Sequence, residues 1–205
     1  AVSLAGLALS GADAGNYTLQ VPTTLVADIT ALVLPLTGLS ASNKVYDAST
    51  LATLAGTAAI NPLAGDTVTL SGTVAGAFAD KNVGSAKPVA VSGLSLIGAD
   101  AGNYLLQVPS TLVADISALN LALTGLSAGN KVYDANTVAP LSGTAAISPL
   151  AGDTVTLLGT AAGAFADKSV GTAKPVALSG LTLGGADAGN YALQLPSGLA
   201  GNITA

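Results

Sequence analysis

The amino-acid sequence repeats itself every 87 residues, and no other feature restricts its fold as much. The string GADAGNY ends at Tyr17, Tyr104 and Tyr191, and NKVYDA sets Tyr46 and Tyr133 the same interval apart. Residues 32–118 align with 119–205 without a gap; 22 of the 87 positions differ, which leaves 65 identical. Residues 1–31 match 88–118, so the last part of one unit precedes two full ones. Solenoid units such as ankyrin or leucine-rich repeats run only about 20–47 residues. A unit of 87 residues is long enough to bury a core of its own, since domains of about 55–65 residues fold alone. The organisation expected is a string of small tandem domains, divided 1–31, 32–118 and 119–205, each folding largely by itself.

Within a unit the hydrophobic period is that of β-strands. In Asp66–Ser71, Val68 and Leu70 alternate with Thr67, Thr69 and Ser71, and Lys87–Ser92 alternates through Val89 and Val91. Tyr104–Val108 and Leu112–Ile116 add two runs, and Gly, Asn, Asp and Pro cluster at 61–66, 80–84 and 98–103 between them. The Ala-rich stretch Ala48–Ala59 is interrupted by Thr50, Thr53, Gly56 and Thr57, which argue against a long helix. The fold class expected is all-β: tandem small β-domains, sandwich-like or β-grasp-like, with about seven short strands per repeat.

Composition removes whole classes of chemistry. Every acid is Asp and every base is Lys; Glu, Arg, His, Cys, Met and Trp are absent. The chain therefore has no imidazole base, no thiol nucleophile and no usual ligand set for a transition metal, which argues against an enzyme and against a cofactor. It also has no disulfide scaffold. A net charge of −5 repels a phosphate backbone, so nucleic acid is not an expected partner. Mean hydropathy is high at +0.65. Yet the most apolar stretch, Ala31–Leu36, includes Pro35 and falls far short of the ~20 residues of a spanning helix, so no membrane insertion is expected. The start at Ala1 without Met is expected for a mature or partial product.

The remaining polar residues concentrate in turns. Asp100 and its counterpart Asp187 lie in GADAGNY and could offer oxygen to Ca²⁺. Calcium takes about six to eight oxygens from closely spaced carboxylates, whereas these acids are isolated and no Asp-x-Asp pair exists. An Asx-type turn is expected instead, the carboxylate accepting nearby backbone N–H groups. Gly102 and Gly189 would take positive φ there, ahead of Asn103–Tyr104 and Asn190–Tyr191.

Tyr46–Asp47 and Tyr133–Asp134 invite a catalytic reading, but a tyrosine alternating with Val45 is expected to pack, with its hydroxyl on a local partner. No second polar cluster accompanies it. Asp66 and Asp153 open Thr-rich strands whose hydroxyls could face ice or a sugar; two aligned threonines make a thin array, and Thr also suits a half-solvated strand. Lys81, beside Asp80, and Lys87 recur as Lys168 and Lys174 and raise the idea of Lys–Asn or Lys–Asp isopeptide crosslinks. That chemistry needs a buried lysine, whereas these sit in polar turns or at a strand start and are expected to be solvated charges. Phe78 and Phe165 are expected to be the lone large anchors of small-residue cores, and Tyr46 is expected to share the environment of Tyr133.

The order NKVYDA, AGDTVTL, AFADKNVG, KPVAVSGLSL, GADAGNY and a closing ADI-S/T resembles the YDG-type repeats, related to MBG modules, of large secreted bacterial adhesins of the filamentous-haemagglutinin type. The resemblance covers both full units and the leading part. Ala48 and Ala135 depart from the family pattern, which usually has Gly after Tyr-Asp, where Gly accepts positive φ and Ala resists it. The resemblance implies an extracellular, mostly β module of the bacterial cell surface, giving length and spacing to an adhesin stalk in cell adhesion or biofilm. Two other roles stand beside it: a self-assembling extracellular filament or sheath subunit joined head to tail, and a repeat that itself binds a host or matrix ligand. The partners expected are neighbouring repeats of the same chain and other copies of the protein in a fibre.

In a complete unit, residues 1–31 are expected to form about three strands, near Val2–Leu9, Tyr17–Val21 and Leu25–Thr30. Such strands alone would leave an apolar face and backbone edges open. Either a longer array precedes them or another copy of the chain supplies what they lack.

Overall fold

The computed structural model describes residues 1–205 and is all-β, with three short 3₁₀ turns and no α-helix. Nine strands, rather than about seven, make up each full unit. The first unit has β1 (Leu32–Pro35), β2 (Thr37–Ala41), β3 (Lys44–Val45), β4 (Leu51–Ala52), β5 (Leu54–Ala59), β6 (Thr69–Phe78), β7 (Gly84–Ile97), β8 (Tyr104–Gln107) and β9 (Val113–Ser117). The second repeats the set as β10 (Leu119–Ala122), β11 (Thr124–Ala128), β12 (Lys131–Val132), β13 (Val138–Ala139), β14 (Leu141–Ala146), β15 (Thr156–Phe165), β16 (Gly171–Gly184), β17 (Tyr191–Gln194) and β18 (Ala200–Thr204). Each unit has one five-stranded sheet, ordered β3-β9-β7-β6-β4 and β12-β18-β16-β15-β13. Two smaller pairs complete it: β1 parallel to β8 and β2 antiparallel to β5, with the same arrangement in the second unit.

The β6–β7 hairpin shapes the unit. Its pairing runs from Thr69 opposite Ile97 to Gly72 opposite Leu94, slips, and resumes from Ala75 opposite Ser92 to Phe78 opposite Val89. Gly72 and Gly93 stand at the slip with φ of 101° and 85°. A Cβ on Gly72 would lie 2.1 Å from the Gly93 carbonyl oxygen, so only glycine lets the strands approach and bend at this bulge. On either side of the bend lies a different apolar cluster. Leu34, Val68 and Tyr104 form a small head cluster, and Phe78, Val89, Ala114 and Ile116 form the tail. The second unit's tail is Ala139, Phe165, Val176 and Ile203; both phenylalanines are buried, though not as the lone large anchors, since Tyr46, Tyr104 and Tyr191 are buried too.

The second unit's head has no cluster of its own. Leu121 and Tyr191 belong to the cluster that contains Phe78 and Tyr46 of the first unit. Ala118 alone separates β9 from β10. The tail of one unit and the head of the next therefore share one apolar cluster.

Residues 1–31 form none of the three expected strands. They hold one isolated bridge, Val2 to Leu25, and a 3₁₀ turn at Ala14–Asn16. Ile29 is fully exposed, whereas its counterparts Ile116 and Ile203 are each 1% exposed. The reason is pairing: β8 is held by β1, and β9 by β3 and β7. Residues 1–31 carry no counterpart of β1, β3 or β6, and strands without partners leave their backbone groups unsatisfied.

The strained positions also differ from expectation. Gly102 and Gly189 lie inside the 3₁₀ turns Ala101–Asn103 and Ala188–Asn190. The left-handed residues are instead the first glycines of the string, Gly98 and Gly185, with φ of 124° and 105°. There the chain leaves the long strand and passes so close to Thr67 that a Cβ on Gly98 would sit 2.1 Å from its carbonyl oxygen. Ala48 and Ala135 have φ of 62° and 63°; the turn keeps the conformation that suits glycine, and alanine bears the strain.

Thermal denaturation checks both points. Gly98→Ala should destabilise by more than ~1 kcal/mol, while Gly102→Ala, which meets no atom within 4 Å, should change stability by less than ~0.5 kcal/mol. Ala48→Gly should stabilise by up to ~1 kcal/mol, because it removes the left-handed penalty of alanine and gives back part of it as chain entropy.

Candidate functional site at the repeat joint

The recurring motifs place their polar groups at the two ends of a unit. In NKVYDA, the Asn43 side chain accepts the Asp115 backbone N–H at 2.7 Å and so fixes the loop against β9. Lys44 Nζ donates to Asp47 Oδ1 at 2.7 Å and to the carbonyls of Ser49 and Leu51 at 2.9 and 3.0 Å. It also stands 5.7 Å from the centre of the Phe78 ring. Asp47 is thus half of a lysine clamp, and Asp134 repeats it with Lys131 at 2.7 Å. With both neighbours pinned, Tyr46 is directed out of the tail end of its unit and into the next.

There it meets a carboxylate. The Tyr46 hydroxyl donates to Asp153 Oδ2 at 2.7 Å, and the Tyr191 hydroxyl donates to the same oxygen at 2.6 Å. Lys81 reaches across from the β6–β7 turn, pairing with Asp153 Oδ1 and, at 3.0 Å, with Asp187. The Tyr46 and Tyr191 rings meet edge to face with centres 5.4 Å apart. Asn190 accepts the Val83 backbone N–H at 2.9 Å and donates to Asn82 Oδ1 at 3.1 Å. The Asp153 side chain is 1% exposed, and Asn190 is the one buried polar residue of the chain. Leu119, Leu150, Val155 and Leu183 pack around the group.

Electrostatics lock the charges in place. Hydrogen bonds from Lys81, then Tyr191 and Tyr46, hold the Asp153 carboxyl down at about 2. Burial, then the bond to Asp153, pushes Tyr191 up to about 12, and burial foremost raises Tyr46 as well. Asp153 likewise holds the Lys81 ammonium in its charged form. The reading of Lys81 as a solvated charge is corrected: two acids that its neighbours in sequence do not contain draw it into the joint. The same shifts oppose amide condensation between Lys81 and Asp153, which needs a neutral amine and a protonated acid. None of the cavities in the structure is lined by Tyr46, Asp153 or Tyr191.

The equivalent groups elsewhere are placed differently. Tyr46, packed on the second unit, is 2% exposed and Tyr133 is 46% exposed, so their environments are not shared. In the first unit Tyr104 donates to Asp66 Oδ2 at 2.5 Å, the counterpart of the Tyr191–Asp153 bond, and Asn103 is exposed where Asn190 is buried. Asp100 and Asp187 accept the backbone N–H of Thr67 and Thr154 at 2.8 and 2.9 Å. They close a turn across 33 residues, not a local Asx turn. The contact roles of Lys81, Asn82, Val83 and Leu150 carry no sequence signal, since their partners lie at distances unrelated to any motif.

Residues 30–111 and 117–198 each match the YDG domain family, the two matches starting one repeat period apart. No curated protein and no solved structure matches the chain.

The joint has a pH signature. Asp153 titrates near 2 in the fold against an ordinary 3.8, so its contribution is whole above the ordinary value and is lost as pH falls through the lower one. Tyr191 near 12 against 10.0 acts at the other limit; its contribution is whole below the ordinary value and is lost as pH rises through the higher one. The melting temperature should therefore be flat between about pH 5 and 9 and fall on both sides. Asp153→Asn should lower it at neutral pH more than Asp66→Asn does, and should weaken the acid-side fall.

Proposed function

The chain belongs to the YDG domain family, which it carries twice in tandem, and from that premise we propose that these repeats are spacer modules. Stacked tail to head, they give length and a fixed direction to the stalk of a secreted bacterial surface adhesin or extracellular fibre, in cell adhesion or biofilm. The observation that carries this reading is the joint itself. A single residue, Ala118, connects the sheets of the two units, and the first unit's Tyr46 and Phe78 share a core with the second unit's Leu121 and Tyr191. Flexible tethers are Gly- and Ser-rich and several residues long, and ordinary domain interfaces within a chain permit relative motion. A one-residue connection with a common core and a buried ion pair resists both hinge and twist. The proposal assigns no catalysis to the chain, in keeping with side chains limited to Asp, Lys, Tyr and hydroxyls, and it places the repeats outside the cell.

A second reading, ligand binding by the repeats, has one observation in its favour. An apolar cavity of about 400 Å³ lies in the first unit between Phe78, Pro88, Val91 and Val108. Its second-unit counterparts of Val91 and Val108 are the larger Leu178 and Leu195, and no cavity opens there. A groove present in only one of two repeats fits a packing difference better than a repeated binding function.

Small-angle X-ray scattering on the 205-residue chain, and electron microscopy of longer tandem arrays, test the spacer reading. The expected particle is a rod whose length grows in proportion to copy number, and Tyr46→Ser combined with Lys81→Ala should add bending at the joint. Compact particles, or units that hinge freely in the unaltered chain, would overturn it.

A further inference from the structure

The strands by which the chain enters and leaves the first unit both run along the stack. Strand β8 starts at Tyr104 in the head cluster and leads to Val108, which lines a cavity with Phe78 and Val89 of the tail. It therefore runs from head to tail, and β1, its parallel partner, does the same. Strand β7 runs the other way, from Val89 in the tail to Leu96 against the head. Strand β9 is antiparallel to β7 and parallel to β3, so β9 and β3 also point to the tail. Tension along the stack would draw β1 backward along β8, and β9 forward between β3 and β7. Ladder hydrogen bonds lie across the strands, so such a load falls on all of them together. An antiparallel hairpin opened from its free end loses them one after another.

The leaving strand is fastened on both sides. Asp115, in the middle of β9, accepts the Ala86 backbone N–H of β7 at 2.7 Å. Its own backbone N–H donates to Asn43 Oδ1 at 2.7 Å, and its carboxylate accepts Asn43 Nδ2 at 3.4 Å. Two residues on, the Ser117 carbonyl accepts the Tyr46 backbone N–H at 2.8 Å. Tyr46 thus holds the exit of its own unit by its backbone while its hydroxyl holds Asp153 of the next. The second unit repeats the fastening: Asn202 accepts the Ala173 N–H and donates its own N–H to Asn130, each at 2.8 Å. We propose that each unit is a shear clamp that keeps its fold under tension applied along the stack. The direction of the load rests on the spacer reading.

The chain has no cysteine, so introduced thiols fix where optical tweezers apply force to the full 205-residue protein. Ala31→Cys with Asn120→Cys loads the first unit through its entering and leaving strands. Ala64→Cys with Gly102→Cys pulls apart the head ends of β6 and β7, where Thr69 opposes Ile97. All four positions are exposed, and circular dichroism confirms that each variant is folded. Unfolding should release up to about 300 Å between the first pair of thiols and about 130 Å between the second, which identifies the events. At equal loading rate the first pair should require at least about twofold more force, since forced unfolding follows the unfolding barrier. With the first pair, Asp115→Ala should lower that force more than Val68→Ala does, while Asp115→Asn, which matches Asn202, should keep most of it. Equal force in the two geometries, a stronger second geometry, or an Asp115→Ala variant that resists like wild type would each overturn the proposal. The comparison of geometries decides alone if Asp115→Ala does not fold. A chain that scatters as a stiff rod yet resists no better along the stack overturns this inference alone. A joint that hinges freely in scattering overturns the spacer reading, and the direction of load with it.

Discussion

The Asp153 carboxylate is the point on which the arrangement of the two units depends. It accepts two phenol hydroxyls and a lysine while almost wholly removed from water. Only one of those donors, Tyr191, comes from its own unit; Tyr46 and Lys81 come from the other. A carboxylate in such a place is costly unless every partner is present, and breaking a buried pair costs more than the pair contributes. The group therefore acts chiefly on register. A rotation or slip of one unit against the other removes Lys81 and Tyr46 together and leaves a buried charge uncompensated. The surrounding leucines supply non-directional attraction, and the carboxylate decides at which angle it is realised.

The joint joins cores that each end also has alone: Tyr104 and Tyr191 are both 7% exposed, and Phe78 and Phe165 both 3%. The bend at Gly72 and Gly93 divides the long hairpin between two clusters, and the head cluster of the first unit contains just three buried side chains. A chain with only two Phe and five Tyr has little bulk to spend there. Stacking lays one unit's tail on the next unit's head, where Tyr46, Leu121 and Tyr191 join a cluster of seven. What stacking adds is the burial of Tyr46, 2% exposed against 46% for Tyr133, at the kind of neighbour interface through which repeat arrays gain stability.

The same logic explains the NKVYDA string. Asn43 fastens the loop to β9, Lys44 and Asp47 clamp it beside Phe78, and the tyrosine between them is thereby aimed at a neighbour. Ala48 and Ala135 tolerate left-handed backbone to complete the turn. The motif is a device for presenting one aromatic hydroxyl, and the GADAGNY string is its receptor: Asp187 ties the turn to Thr154 while Asn190 and Tyr191 face the incoming unit.

The sequence alone determined that the chain is β, that it is built of 87-residue units, and that two phenylalanines anchor them, because alternation of side chains and placement of Gly and Asp act over a few residues. It did not disclose which glycine of GADAGNY turns the chain, since Gly98 is strained by Thr67, thirty-one positions away in the chain path. Nor did it show that Lys81 and Asp153, 72 residues apart, would meet. Most of all, a repeating sequence writes the same residues at Tyr46 and Tyr133 and at Asp66 and Asp153, and so assigns them the same fate. Only the tertiary structure separates them, because burial depends on whether a neighbouring unit is present to exclude water, and that is a property of position in the stack rather than of the residue.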